Sequence, residues 1–244
     1  MGLVCNTSRA QFSDYGVRGS LGIATVSDNL TTKSPILGVG VGGYINLTFA
    51  KSKSVLAEIF YLQTGLNIVR RGRNFEEVLE QNNNLHYCEG YCKAWYIQLP
   101  ILAGVHMELP VRQEGHIVGV FLGPAISFGL FGSYTERMIN PFYTDRSVNY
   151  DLSRYGTDAD RRAFNHINRL DVSAIIGVSY EHGPLVLSLY VDHGFLPVSK
   201  ESDPLRIIDN SQTTAANRIS DEISAGNNSA YMLSLSYRLG TFAK

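Results

Sequence analysis

No stretch of the 244 residues approaches the ~18 consecutive apolar side chains of a membrane-spanning helix, so no part of this sequence reads as one. Charge of one sign is missing as well: 21 Lys and Arg stand against 22 Asp and Glu. That balance offers none of the basic surface by which proteins bind nucleic acid, and none is expected as a partner. Cysteine is scarce, and the six histidines (His86, His106, His116, His166, His182 and His193) include no close pair at metal-ligand spacing. There is no internal repeat, low-complexity tract or domain boundary. Mean hydropathy is only −0.05, but a membrane remains open, because a spanning strand shows lipid only every second residue. What the chain does have is glycine (23) and tyrosine (14), which suit a barrel with a tight interior and aromatic girdles.

The pattern that organises these residues is alternation. In Ile36–Phe49, Leu37, Val39, Val41, Ile45, Leu47 and Phe49 share one face, while Gly38, Gly40, Gly42, Tyr44, Asn46 and Thr48 share the other. Successive strand side chains point to opposite faces, so this is a strand with one greasy and one small or polar face. It exceeds the roughly 9–11 residues a tilted strand needs to cross a bilayer. The pattern recurs around Val17–Thr25, Val55–Val69 (with a phase change expected near Gly65), Ala94–Met107, His116–Phe131, Leu170–Glu181, Leu185–Asp192 and Tyr231–Leu239. The spacing predicts eight strands in all.

Connections alternate too. Lys51–Ser54, Glu108–Gly115 and Glu181–Pro184 are short; Asn74–Lys93, Gly132–Asn165 and Pro197–Ser229 are long and polar; Ser27–Ser34 is intermediate. Short turns on one side and long loops on the other are the outer-membrane arrangement, with both termini periplasmic. The fold class is therefore all-β, an eight-stranded antiparallel up-and-down transmembrane β-barrel over residues 14–244. Residues 1–13 read as a signal-peptide remnant or a disordered amino terminus. Ser8-Arg9-Ala10 before Gln11 has the small-residue look of a cleavage site, with Cys5 inside the remnant.

The stretches Glu58-Ile-Phe-Tyr61-Leu-Gln63-Thr-Gly65, Tyr96-Ile-Gln-Leu-Pro100, Gly119-Val-Phe-Leu-Gly123-Pro124, Leu170–Gly177, Leu185–Gly194 and Leu233–Arg238 follow one another in an order and spacing that resembles the PorT-like outer-membrane β-barrel family of Gram-negative bacteria. The resemblance implies a barrel inserted by the outer-membrane assembly machinery. It implies no defined activity.

Gly38-x-Gly40-x-x-Gly43 matches a dinucleotide fingerprint in letters, but a helix must begin at those glycines, and Tyr44–Phe49 continues as strand. Ser127, within Ala125-x-Ser127-x-Gly129, lacks the strand-to-helix turn of a nucleophile elbow. His193 is the one histidine placed to serve a rim hydrolase acting on lipid, without an identifiable serine. Cys88 and Cys92 are expected to form a small local disulfide. Arg70, Arg71 and Arg73 cluster where a strand should meet the outer rim, which suits either contact with lipopolysaccharide phosphates or a simply solvated loop base. The strand phases send Arg18, Glu58, Asp171, Asp192 and Arg238 into the lumen, where confined charges must pair or stay hydrated. A bracing network is expected there, with Arg18 and Arg238 sharing acidic partners. No metal, cofactor or catalysis is expected. The functional expectation is an outer-membrane protein in contact with lipid and lipopolysaccharide, whose loops serve adhesion, partner binding or support of a secretion or envelope complex. A small porin-like channel, a rim lipid hydrolase and a soluble lipocalin-like carrier are the alternatives.

Overall fold

In a computed structural model of the chain, residues 11–27, 32–48, 59–81, 84–109, 115–139, 168–198 and 226–241 are described. They form eight strands: β1 (Gln11–Ser27), β2 (Thr32–Thr48), β3 (Phe60–Gln81), β4 (Asn84–Glu108), β5 (His116–Ile139), β6 (Leu170–His182), β7 (Leu185–Pro197) and β8 (Asn227–Thr241). Each pairs antiparallel with the next, and β1 pairs with β8, so the sheet closes into a barrel. Closure removes every edge within the wall, the condition for strands to cross hydrocarbon.

The two faces of the wall separate as the alternation requires. Leu21, Leu233, Leu189, Val178, Val120 and Val105 are successive cross-strand partners on β1, β8, β7, β6, β5 and β4. Their side chains point outward and are 37–58% exposed. One residue away, the inner row on the same strands reads Ser20, Ser234, Ser188, Ser179, Gly119 and His106. A continuous aliphatic belt of this kind would be a severe liability in water and is the expected surface in lipid. A soluble carrier needs the reverse arrangement. Aromatics flank the belt: Tyr15, Tyr180 and Tyr237 at the short-turn end, Phe128, Phe131, Phe195 and Tyr231 toward the other, all outward and exposed.

Several boundaries differ from the sequence reading. Alternation runs through Gly65 without a phase change, with Gln63 and Asn67 both on the inner face. The shift falls elsewhere: a bulge sets Trp95 and Tyr96 opposite Phe131 and Gly129, and both Leu130 and Phe131 then face outward. Asn74–Lys93 is not an irregular loop, since β3 and β4 remain paired out to Gln81 and Asn84. Gly132–Asn165 likewise begins as strand, with β5 paired to β4 as far as Ile139. These segments carry no apolar alternation to mark them; hydrogen bonding to neighbouring strands makes them β. The wall is consequently uneven. β3, β4 and β5 have 22, 25 and 24 residues, whereas β6, β7 and β8 have 13, 13 and 15. β6 stops pairing at Phe128↔Leu170, so β5 continues to Ile139 for roughly 35 Å of further strand. At the other end, the β6–β7 turn needs Gly183, which sits at φ 59° in the left-handed region that side chains disfavour.

The interior is more apolar than a purely small-and-charged lumen. Leu102, Phe121, Ala125 and Ile175 form one buried cluster, Ala24, Ile36, Ala230 and Met232 a second, and Val69, Cys92, Ala94 and Tyr96 a third.

Candidate functional site in the barrel lumen

The lumen has two unlike halves, and its charges divide between them. Toward the long-loop end, Arg71 on β3 reaches across the barrel. It donates from Nη1 to Asp171 Oδ2 on β6 (2.8 Å) and from Nη2 to Asp192 Oδ2 on β7. Gln98 Nε2 on β4 also donates to Asp192 Oδ2 at 2.8 Å, and Asn228 Nδ2 on β8 to Asp171 Oδ2 at 3.1 Å. The guanidinium lies 5.8 Å from the centroid of the Tyr96 ring. Arg71, Asp171, Asp192 and Gln98 are all 2–4% exposed, and Arg73, two residues along the same face, is buried too. A buried charge is tolerable only when paired and hydrogen-bonded. Here five strands supply a network that crosses the lumen, in which Asp171 Oδ1 and Asp192 Oδ1 are buried without a hydrogen-bond partner among the described residues.

Toward the short-turn end lies a cavity of about 280 Å³. At its mouth Arg238 bridges two carboxylates: Nη2 donates to Glu181 Oε1, and Nε lies 3.5 Å from Asp14 Oδ2. These side chains are only partly buried, 25% exposed for Arg238, 20% for Glu181 and 13% for Asp14. Deeper in, Arg18 Nη2 donates to Gln63 Oε1. A head-to-tail amide chain continues from there: Gln63 Nε2 donates to Asn46 Oδ1 (2.8 Å), and Asn46 Nδ2 to Asp14 Oδ1 (2.7 Å). Arg18 also lies 5.3 Å from the centroid of the Tyr44 ring. Tyr61 and Tyr190 line the same space, hydrogen-bonded to Ser179 and Ser20. Glycine makes room for these rings. A Cβ at Gly16 would come within 2.6 Å of the Tyr44 hydroxyl, and one at Gly177 within 2.6 Å of Tyr190 Cβ.

Against the sequence expectations, the structure brings Asp171 and Asp192 together, but around Arg71 rather than Arg18 or Arg238. Arg18 and Arg238 do not share carboxylates: Arg238 takes Asp14 and Glu181, and Arg18 takes an amide. Glu58 lies outside the described residues. The arginine cluster splits by strand parity. Arg70 faces outward, donating to Leu37 O (2.8 Å from Nη2) beneath the Trp95 ring, whereas Arg71 and Arg73 turn inward. Arg71 was missed as a lumen residue because the third strand was ended at Val69. The i, i+2 series Gln63, Asn67, Val69, Arg71, Arg73 was the available signal. The disulfide is a correction as well. Cys88 and Cys92 sit four residues apart on the continuous strand β4, about 13 Å of extended chain, where a disulfide needs Cα atoms within ~7 Å. Cys92 is a buried free thiol.

His193 does acquire a hydroxyl neighbour: its Nδ1 lies 2.8 Å from Ser229 Oγ on β8, on the outward face. Among the described residues no carboxylate orients that ring, so the third member of a triad is missing from this pair. Ser127 is fully buried within an uninterrupted strand, and Gly38, Gly40 and Gly43 lie along β2, where no helix begins. No group of three metal-binding side chains occurs among the described residues.

A closed antiparallel barrel with an aliphatic belt outside, aromatic rims and a charged interior defines an integral membrane barrel. Residues 7–200 match the model of the outer membrane protein beta-barrel domain family, and the chain belongs to that family. It is an outer-membrane β-barrel protein. None of the curated proteins compared with the chain matches it.

Proposed function

We propose that this barrel is a non-enzymatic, non-conducting platform that engages a protein partner of the envelope or cell exterior through its long-loop end. The observation that carries this reading is the pairing of a charge network across the lumen with an uneven wall. The Arg71 network crosses the lumen at the end where β3, β4 and β5 rise far past their neighbours among the described residues, which favours a barrel that does not conduct. Beyond Gly129, whose N–H donates to Arg169 O, β5 has backbone groups that no described residue of the β6 side pairs, and such an edge can template an added strand. The β6–β7 turn, the start of β1 at Gln11 and the end of β8 at Thr241 lie at the opposite rim, which supports periplasmic termini. Outward Arg70 and Lys93, near Trp95 and Tyr91, suit contact with lipopolysaccharide phosphates in the outer leaflet.

Purified full-length protein in planar bilayers tests the platform against the channel: a silent membrane is expected, and stable single-channel openings would overturn the reading. In whole cells, a photoreactive residue at position 137 on β5 should capture a discrete partner. Capture should cease when residues 75–90 are removed while heat-modifiable migration persists.

A further inference from the structure

The open half of the lumen has a charge layout that bracing does not account for. Its inner end carries a cation, Arg18, whose one hydrogen-bond acceptor among the described residues is the neutral Gln63 amide. A guanidinium has five N–H donors in a fixed fork, so one bond to Gln63 leaves Arg18 with spare donors beside the cavity it lines. Its mouth carries two carboxylates, Asp14 and Glu181, against the single guanidinium of Arg238, a net charge of −1. The two ends are four residues apart on β1, about 13 Å of strand. Tyr44, opposite Gly16 and so between them, and Ser234, opposite Ser20 and so one inward position beyond Arg18, carry buried hydroxyls that find no hydrogen-bond partner among the described residues, and both line the cavity. Buried hydroxyls left unpaired are uncommon in proteins. The walls are unequal as well: serines at 179, 188, 234 and 236 form a thin side, and Tyr44, Tyr61 and Gln63 a thick one.

We propose that this half is a binding pocket, entered from the short-turn rim, for a small peptide-like zwitterion. Its carboxylate sits on Arg18 and the Tyr44 hydroxyl, and its ammonium at the mouth beside Asp14 and Glu181. A bidentate carboxylate is the partner a free guanidinium edge recognises best. A tripeptide spans roughly 10 Å when extended, a little less than the ~13 Å of β1 between the two ends, so side chains reaching inward can meet both of its termini. The amide chain Gln63–Asn46–Asp14 holds Arg18 in place from one side, so the pocket is organised before a ligand arrives.

The test is isothermal titration calorimetry of the purified full-length barrel in detergent micelles with trialanine, its N-acetylated form and its C-terminal amide. Trialanine should bind. Amidation should weaken binding at least about tenfold, because it removes a charge-assisted contact at Arg18, and acetylation should weaken it several-fold. Arg18→Gln, in protein that retains heat-modifiable migration, should abolish the difference between trialanine and its amide. No heat with trialanine, or equal affinity for the free and blocked peptides, overturns the proposal. Both of those outcomes are read on the unaltered protein, so a variant that fails to fold does not protect it. Conductance in bilayers together with trialanine binding would break the platform reading and leave the pocket standing; a silent bilayer without binding would do the reverse.

Discussion

Arg71 and Arg238 make the same chemical arrangement in two different solvents. Each is a guanidinium bridging two carboxylates inside one barrel, Asp171 and Asp192 for the first, Asp14 and Glu181 for the second. Arg71 is 3% exposed and Arg238 25%. Desolvation makes the first site intolerant of losing any member, because a buried charge left alone costs far more than the pair contributed. Water at the second site screens its members and lets each stand by itself. The buried half is therefore the one that tolerates least change, and the more exposed half depends less on any single member.

The largest expected effect follows from breaking the buried half. Arg71→Met strands two buried carboxylates and should destabilise the barrel by about 3–5 kcal/mol in urea titrations of protein refolded into lipid vesicles. A loss near that of the mouth variant below would mean that water reaches the Arg71 network. Between the two halves on the outer face, Leu122 is 62% exposed. Leu122→Arg places a charge in hydrocarbon and should cost about 2–4 kcal/mol in the same titration; a neutral outcome would place β5 outside the lipid. At the mouth, Arg238→Met should cost only about 1 kcal/mol, and that cost should shrink in 1 M salt, where the screening length falls to about 3 Å. The cost of Arg71→Met should not move with salt, and this contrast is the sharpest test of the comparison. Gly183→Ala, at the β6–β7 turn, should cost about 1 kcal/mol or less through its φ of 59° alone, seen as a small drop in urea midpoint without loss of heat-modifiable migration.

Much of the wall could be read directly. Leu37, Val39 and Val41 against Gly38, Gly40 and Gly42 declare a two-faced strand, because strand geometry repeats every two residues and no neighbour is needed to know it. The site was harder. Asp171, Asp192, Arg18 and Arg238 could be sent to the lumen by parity, but their partners could not be assigned. Arg71 and Arg73 were placed at the rim because Asn74-Phe75-Glu76-Glu77 has no greasy face to announce that the strand goes on. Cys88 and Cys92 looked like neighbours across a turn and are instead spaced along one strand. In each case the missing information was where a strand ends, which pairing decides and composition does not.

By itself, the sequence determined that the chain forms eight two-faced strands, which face of each apolar stretch meets lipid, and that the lumen must hold charges of both signs. Those are properties of single strands, set by the period-two direction of side chains and the cost of placing charge in hydrocarbon. Only the tertiary structure decided that Arg71 joins Asp171 and Asp192, that Arg238 takes Asp14 and Glu181, and that Arg18 faces a cavity. The physical reason is closure. The stagger of eight hydrogen-bonded registers around the barrel sets the height and angle at which each lumen side chain arrives, and that stagger belongs to no strand alone.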